Sequence, residues 1–315
     1  MFKRKSIISL VLAVFVCVVF SACGSKGENK GSLNTTKKET NAVVYPLKVV
    51  DSYDRTVIIE KEPKRIITIA PNITEGIYAL GKGSSVVGRS DYDDYPAQAL
   101  KVTSVGDLLQ PSVEKIVELK PDVVIVSALF DKAIIKKLEA LNIKVVALGG
   151  EENFNGVYDT MSKLGQVVNA SGEAQTIVSD MKRKVAEITD KVKDAKKPTV
   201  YYVAGFGKSG DFTAGKDTFI GSMIDIAGGK NAAGDVVGWN YSVEKLVEKN
   251  PDVLICSKLY DSKKGIKATN GYKDLNAVKN GKLLEIDENI IVRQGPRLAE
   301  GLESIAKLVH PELFK

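Results

Sequence analysis

Residues 112–127 read SVEKIVELKPDVVIVS, and residues 242–257 read SVEKLVEKNPDVLICS. The two stretches are identical at eleven of their sixteen positions. In each copy, apolar residues at helical spacing are followed by a proline and then by an apolar run, which predicts a short helix leading into a buried strand. The chain therefore contains two similar α/β halves, and a cleft between two such lobes commonly buries a small ligand. Alternatively, the repeat preserves only a shared packing arrangement.

The N-terminus has the pattern of an export signal. Residues 3–5 are basic, residues 7–20 form an apolar run too short to span a bilayer comfortably, and two small residues precede Cys23. The ending resembles a lipobox, so we expect residues 1–22 to be a lipoprotein signal peptide. Cys23 would then be lipidated and would anchor the protein at the extracytoplasmic face of the cell membrane. The alternative is an ordinary signal peptide with an incidental cysteine. Residues 23–44 are polar and predict a disordered tether.

The small numbers of cysteines and histidines and the low net charge argue against several classes of protein. Cys17 leaves with the signal and Cys23 would be lipidated, so Cys256 alone remains, and neither a disulfide nor a cysteine metal site is expected in the mature domain. The single histidine, His310, ends the last predicted helix, which argues against histidine-based metal binding or triad catalysis. The formal charge falls from +6 to +3 once the three basic residues of the signal are removed, too little to indicate nucleic acid.

Strands alternate with helices along the rest of the chain, which predicts an α/β fold. We expect two Rossmann-like lobes, residues 45–170 and residues 197–315, joined by a single long amphipathic helix over residues 171–196, with a ligand cleft between the lobes. Asn72 or Thr74 is the expected N-cap of the first helix. A helical joint should be stiff, so large hinge closure is not expected.

Several short motifs recur in a recognisable order. They are Asp51-x-x-Asp54-Arg55, Pro63-x-Arg65-Ile66, Thr74-Glu75, Asp94-Tyr95-Pro96, Lys120-Pro121-Asp122 and Gly295-Pro296-Arg297. Together they resemble the class III substrate-binding proteins of bacterial ABC importers, which carry iron-siderophores, haem or cobalamin. The resemblance covers residues 47–313. It implies a monomeric, non-enzymatic binding protein without a cofactor, whose partners are an ABC permease dimer with its cytoplasmic ATPase.

Within that family, the cobalamin-binding members are similar to this chain at ligand positions. The resemblance implies ligand contacts from Tyr92 in the first lobe, from Phe206, Phe212 and Trp239 in the second, and from Asn289 and Arg293 before the Gly-Pro-Arg motif. Where those proteins often have a tryptophan, this chain has Leu108 or Leu109, and Leu108 is the expected wall residue. Alternatively, the second-lobe aromatics belong to the core.

The same resemblance implies a role for the two glutamates of the repeat. Glu114 and Glu244 match positions at which the family docks onto arginines of its two-fold symmetric permease. Equivalent carboxylates at the starts of equivalent helices also suit the helix dipole and a partner with two equal sockets. The alternative is that both glutamates cap their helices. Glu75 is a third, weaker docking candidate.

The composition of the expected cleft favours a corrinoid. A corrinoid is a large, flat and mostly apolar disc, which needs aromatic faces and neutral hydrogen-bond partners. A ferric siderophore is the alternative, but an anionic catecholate would favour several converging arginines, and only Arg89, Arg293 and Arg297 are expected near the cleft. A two-lobed Rossmann-like enzyme is less favoured, because Gly205-Phe206-Gly207 does not continue into a dinucleotide fingerprint.

Overall fold

The computed structural model describes residues 43–315, so the predicted signal peptide, Cys23 and nearly all of the predicted tether lie outside the described residues. The first lobe opens with an antiparallel hairpin of β1 (Leu47–Val50) and β2 (Thr56–Ile59). It continues through β3 (Ile66–Ile69), α1 (Pro71–Ala79), β4 (Val86–Arg89), α2 (Val113–Glu118), β5 (Val123–Ser127), α3 (Lys132–Ala140), β6 (Val145–Leu148) and α4 (Phe154–Val167). Strands β3 to β6 form a parallel sheet of order β4-β3-β5-β6.

The second lobe repeats this plan after α5 (Ser171–Val192). Its elements are β7 (Thr199–Val203), α6 (Phe219–Ile226), β8 (Lys230–Asn231), α7 (Val243–Lys249), β9 (Val253–Ser257), α8 (Ser262–Ala268), α9 (Asn276–Lys279), β10 (Leu283–Ile286), α10 (Asn289–Val292) and α11 (Leu298–Val309). The sheet is parallel, in the order β10-β9-β7-β8. The predicted α/β class with two parallel-sheet lobes is confirmed.

The duplicated stretches occupy equivalent places in the two lobes. Helices α2 and α7 begin after Ser112 and Ser242, whose hydroxyls accept hydrogen bonds from the backbone amides of Lys115 (3.3 Å) and Lys245 (3.2 Å). Each helix leads into a central strand, β5 or β9, that pairs with a strand on both sides. The repeat is therefore a repeat of three-dimensional structure.

One apolar core runs through both lobes, and each lobe also has a core cluster of its own. Helix α5 contains 22 residues, about 33 Å at 1.5 Å per residue, and packs against α4 on one side and α11 on the other. Its buried stripe joins a continuous core that extends from the first lobe into the second. Across this junction, the ring of Phe154 in α4 meets the ring of Phe219 in α6 edge-on, with centroids 5.3 Å apart. This packing accords with a stiff joint.

The predicted cap of α1 is wrong. Pro71 occupies the first turn and Ala70 the N-cap position, so Asn72 and Thr74 both lie inside the helix. Pro suits this place because its missing N–H would be unpaired there anyway. The Thr74 hydroxyl is instead buried and donates to Asp93 (2.6 Å). In residues 43–315, no helix is long and apolar enough to cross a membrane.

Candidate functional site: the cleft between the lobes

The carboxyl ends of the two parallel sheets face each other. Asn72, just after β3, donates from its side-chain amide to the Gln294 carbonyl (3.3 Å), and the Gln294 amide donates to Glu152, which follows β6 (2.7 Å). Gln294 itself lies beyond the carboxyl end of β10. In open α/β sheets, ligands bind outside the carboxyl ends of the strands. The space between the lobes is therefore the candidate site.

A cluster of charged side chains spans the lobes at one side of this cleft. We call Glu75, Asp94, Arg293 and Arg297 the interlobe ion-pair cluster. Arg297 binds Glu75 with two parallel hydrogen bonds of 2.8 and 2.6 Å. Arg293 reaches Glu75 at 3.1 Å and Asp94 at 2.6 Å. Two-bond pairing of this kind fixes both distance and orientation.

The charged groups of Glu75, Arg293 and Arg297 are largely shielded from water. The Glu75 residue is only 3% exposed, and the side chains of Arg293 and Arg297 are 11% and 17% exposed. Burial alone would raise the pKa of Asp94, but the hydrogen bond and charge of Arg293 lower that pKa overall. The expectation that Glu75 docks onto a partner is wrong, because its carboxylate is buried and is occupied by two arginines. Breaking such a pair would leave uncompensated buried charge.

Two of the arginines expected near the cleft belong to the interlobe ion-pair cluster, and all three make further contacts within the protein. The guanidinium of Arg297 also lies over the Tyr95 ring, 3.8 Å from its centroid. Arg293 makes a further contact to the Tyr92 carbonyl at 3.5 Å. Arg89 donates from Nη1 to the Ser90 carbonyl (2.7 Å), but within the described residues its buried Nε has no hydrogen-bond partner. Two of the three guanidinium groups expected to meet an anionic ligand, those of Arg293 and Arg297, are therefore engaged within the protein.

The buried carboxylate of Asp93 fixes the loop that carries Tyr92 through hydrogen bonds. Asp93 accepts hydrogen bonds from the Ser90 hydroxyl (2.6 Å), the Ser90 amide (3.1 Å) and the Thr74 hydroxyl (2.6 Å). Burial raises the pKa of Asp93 despite these bonds. Tyr92 itself stays 55% exposed. The loop thus presents an aromatic side chain on a fixed base.

The second-lobe wall is built around Phe212. Its backbone pairs with Gly205 and Asn240, and its ring lies so close to two glycines that a Cβ on Gly205 or Gly210 would approach it to 2.7 or 2.8 Å. The amide of Thr213 donates to the Trp239 carbonyl (2.8 Å), which brings Trp239 beside the Phe212 strand. Phe212 is half-buried and Trp239 is 44% exposed. The two aromatics therefore share one wall.

Phe206 is more closely bound to its own lobe. It is half-buried, its ring meets the buried Tyr272 edge-on at 6.2 Å, and a Cβ on Gly265 would lie 2.7 Å from it. The Tyr272 hydroxyl donates to Asp211 (2.8 Å), which ties the loop between Phe206 and Phe212 to the second-lobe core. Phe206 thus has one face in the core and one toward the loop.

The remaining expected contacts differ in accessibility. Leu108 is half-buried against the first-lobe core, whereas Leu109 is exposed, so Leu109 is the more accessible of the two leucines at that position. Asn289 is half-buried at the start of α10, with its backbone amide bound to Asp287 (3.2 Å). Arg293 is engaged in the interlobe ion-pair cluster rather than open to the cleft.

Glu114 and Glu244 lie at equivalent exposed places. Each follows a serine that caps the helix, so the capping bond comes from the serine and both carboxylates remain exposed. Hydrogen bonds from its own backbone amide and from the Ser242 hydroxyl (2.8 Å) lower the pKa of Glu244. Helices α2 and α7 each run back toward the amino end of the next strand. Both glutamates therefore lie on the cleft-side rim of their lobes.

A family model described as a periplasmic binding protein matches residues 66–290. The chain belongs to the periplasmic binding protein family. It is 33% identical to the uncharacterised ABC transporter substrate-binding lipoprotein YvrC of Bacillus subtilis, over 99% of both chains. It is 28% identical to a cobalamin-binding protein of Halobacterium salinarum, over 85% of this chain and 75% of that one.

Among solved structures of the family, a possible iron-binding, periplasmic solute-binding protein of Staphylococcus epidermidis superposes with a TM-score of 0.69. It is 32% identical and covers 79% of this chain and 100% of its own. These matches confirm the class III fold expected from the motifs. The protein is a solute-binding protein of an ABC importer, a class that works with a permease and an ATPase.

Sequence reasoning missed how the interlobe ion-pair cluster is assembled. The motifs containing Glu75 and Arg297 were both recognised, but nothing in either motif identified the other as its partner 222 positions away. A glutamate on the inward face of an apolar helix, next to the buried Ile73 and Ile77, was the available signal, because a buried carboxylate needs a cationic partner.

Proposed function

We propose that this chain captures a corrinoid, cobalamin or cobinamide, between its lobes and delivers it to an ABC permease without chemical conversion. The observation that carries this proposal is the commitment of Arg293 and Arg297 to Glu75 and Asp94. With those guanidinium groups neutralised, they do not favour an anionic ligand, and Tyr92 offers exposed aromatic surface at one side of the cleft. A flat ligand rimmed with amides suits such a site.

The comparison with the Halobacterium salinarum cobalamin-binding protein supports this choice of ligand. The second-lobe wall supports it too, because Phe212 and Trp239 lie side by side on paired backbone segments. Stacking of aromatic side chains on the face of a large ring contributes both apolar burial and orientation.

A ferric chelate is the second candidate ligand, and a specific surface favours it. A cavity of about 390 Å³ beyond the carboxyl end of β9 is lined by Lys258, Lys263, Lys264 and Lys267, together with Asp261 and Glu285. Lys263 is paired with Glu285 at 3.0 Å and Lys258 with Asp287 at 3.5 Å. The positive charges of Lys264 and Lys267 would attract an anionic chelate. The Staphylococcus epidermidis relative is named as a possible iron-binding protein.

Direct titration tests the proposal. The single tryptophan of the chain, Trp239, makes intrinsic fluorescence a local probe of the second-lobe wall. The purified mature protein is titrated with cyanocobalamin, dicyanocobinamide and a ferric hydroxamate. Saturable quenching by the corrinoids with no response to the hydroxamate is the expected result. Saturation by the hydroxamate alone would refute the corrinoid proposal in favour of the ferric chelate.

Delivery and anchoring complete the proposal. Glu114 and Glu244 dock the two lobes onto the permease dimer, and their equivalent, exposed positions support this role. Cys23 carries the lipid anchor at the extracytoplasmic face, a role supported by the lipoprotein name of the Bacillus subtilis relative.

A further inference from the structure

The sequence repeat extends past β5 and β9 into the loops that follow them. Residues 127–131 read SALFD, and residues 257–261 read SKLYD. Phe130 of the first lobe therefore corresponds to Tyr260 of the second. Both loops leave the carboxyl end of a central strand, which is the end that faces the cleft.

The two loops place their aromatic residues in opposite environments. In the first lobe, Phe130 is 4% exposed and the preceding Leu129 is 89% exposed. In the second lobe, Leu259 is half-buried and Tyr260 is 88% exposed. The same sequence pattern thus buries its aromatic ring in one lobe and presents it to the cleft side in the other.

The outward position of Tyr260 depends on a strained backbone. Tyr260 and Asp261 have φ values of +59° and +51°, a left-handed conformation that disfavours residues with a Cβ and most of all bulky ones. In the first lobe, Asp131 has a φ of −64° and caps α3 by accepting from the Ala133 amide (2.7 Å). Within the described residues, Asp261 makes no such side-chain bond to α8. The loop of the second lobe thus lacks the side-chain cap that Asp131 provides in the first, and its backbone is strained at two residues. Backbone strain of this kind is concentrated at functional positions.

Tyr260 and Tyr92 lie in opposite lobes, and each comes three residues after the carboxyl end of a parallel strand, β9 and β4 respectively. The charge and hydrogen bond of Asp107 raise the pKa of Tyr92, with a smaller contribution from Tyr260. Strand β9, which ends at Ser257, is the immediate neighbour of β7, whose carboxyl end leads to Phe206. Tyr260 therefore lies on the loop next to the one that carries Phe206, at the end of the second-lobe sheet that faces the cleft.

We propose that Tyr260 is a ligand-contacting residue, which packs on the bound metal chelate from the second lobe opposite Tyr92. This inference rests on the proposed function of the cleft, but it does not depend on which chelate is bound. A contact with the permease is the competing role for an exposed tyrosine, and the place of Tyr260 at the cleft-facing end of β9 favours the ligand.

The test uses the full-length protein in detergent, with variants Tyr260→Ala, Tyr260→Phe and Tyr260→Gly. Asn142→Gly is the matched control, because Asn142 has the same φ of +59° and precedes the amino end of β6, away from the cleft. Dicyanocobinamide, a ferric hydroxamate and haemin are titrated against each protein, and thermal unfolding is measured without ligand.

We expect Tyr260→Ala and Tyr260→Gly to weaken binding about tenfold, the scale of removing an aromatic contact, while Tyr260→Phe stays within about twofold. Tyr260→Gly should also raise the melting temperature, because glycine relieves the left-handed strain. Asn142→Gly should leave affinity unchanged. If the wild-type protein binds haemin or the hydroxamate instead of the corrinoid, the corrinoid proposal fails and Tyr260 is judged on the chelate that binds.

Two results would overturn the assignment. Affinity of Tyr260→Ala within twofold of wild type, for the chelate that the wild-type protein binds, would remove Tyr260 from the site. Unchanged affinity combined with lost transport in membrane vesicles carrying the permease would assign the side chain to the permease contact instead.

Discussion

Glu75→Gln is the substitution that most directly tests the interlobe ion-pair cluster. Glutamine keeps the shape of the side chain but removes the charge that faces Arg293 and Arg297. Removing one partner of a buried ion pair typically costs about 3–5 kcal/mol, because the other charge stays buried without compensation. The arginine side chains keep 11% and 17% of their exposure, so some water reaches them and we adopt the lower end, about 3 kcal/mol.

For a folded region of 273 residues, about 3 kcal/mol corresponds to a fall in melting temperature of about 5 °C. Chemical denaturation gives the free energy of unfolding directly. The control is Glu187→Gln, which removes a 3.0 Å pair with Arg183 on α5 where both side chains are about 60% exposed. Such a pair contributes about 0.3–0.5 kcal/mol. A loss for Glu75→Gln no larger than for this control would refute the view that the cluster joins the lobes.

A double variant separates the pair from its surroundings. Glu75→Gln combined with Arg297→Gln should lose less stability than the sum of the two single variants, because the second change removes a charge that the first left unpaired. Additive losses would show that the two residues do not act as a pair.

The remaining predictions concern the ligand wall, delivery, anchoring and acid stability. Phe212→Ala should weaken corrinoid binding by about 1–3 kcal/mol with little change in melting temperature; the reverse pattern would assign the ring to the core. Reversing Glu114 and Glu244 to Lys should abolish permease-dependent uptake and keep affinity within about twofold, whereas normal uptake would end the docking assignment. Cys23→Ser should release the exported protein into the soluble fraction, and a variant that stayed on salt-washed membranes would contradict lipid anchoring. Hydrogen bonds to the Glu62 carboxylate lower its pKa from 4.5 to about 2, so its stabilising contribution is full above pH 4.5 and is lost as the pH falls toward 2. Glu62→Gln should therefore flatten the acid denaturation curve in that range, and an unchanged curve would contradict the shift.

The repeat made the fold predictable from sequence because its pattern is local. Each copy contains a capping serine, a helical stripe and a buried strand within sixteen residues, and the structure forms all three in both lobes. The aromatic loop after β7 was recognised only through the family resemblance, and the structure adds that glycines at 205 and 210 leave room for the Phe212 ring. Such short-range patterns depend only on residues that are close together in the sequence.

Interactions between distant segments were not predictable in the same way. Thr74 was expected to cap α1, but its hydroxyl is used by Asp93 of the neighbouring loop, and no local pattern shows that competition. Phe130 and Tyr260 occupy the same place in the repeat and yet differ in burial, because the backbone of the second loop turns left-handed. Neither outcome could be inferred from the sequence pattern around the residue.

The core that continues through α4, α5 and α6 has a consequence for how the molecule unfolds. Phe154 belongs to the first half of the sequence and Phe219 to the second, yet each ring is buried against the other. A fragment ending after α4 would expose Phe154 and the apolar face of that helix to water, and a fragment beginning at β7 would expose Phe219. We therefore expect the two halves to unfold as one cooperative unit, and neither half to fold independently.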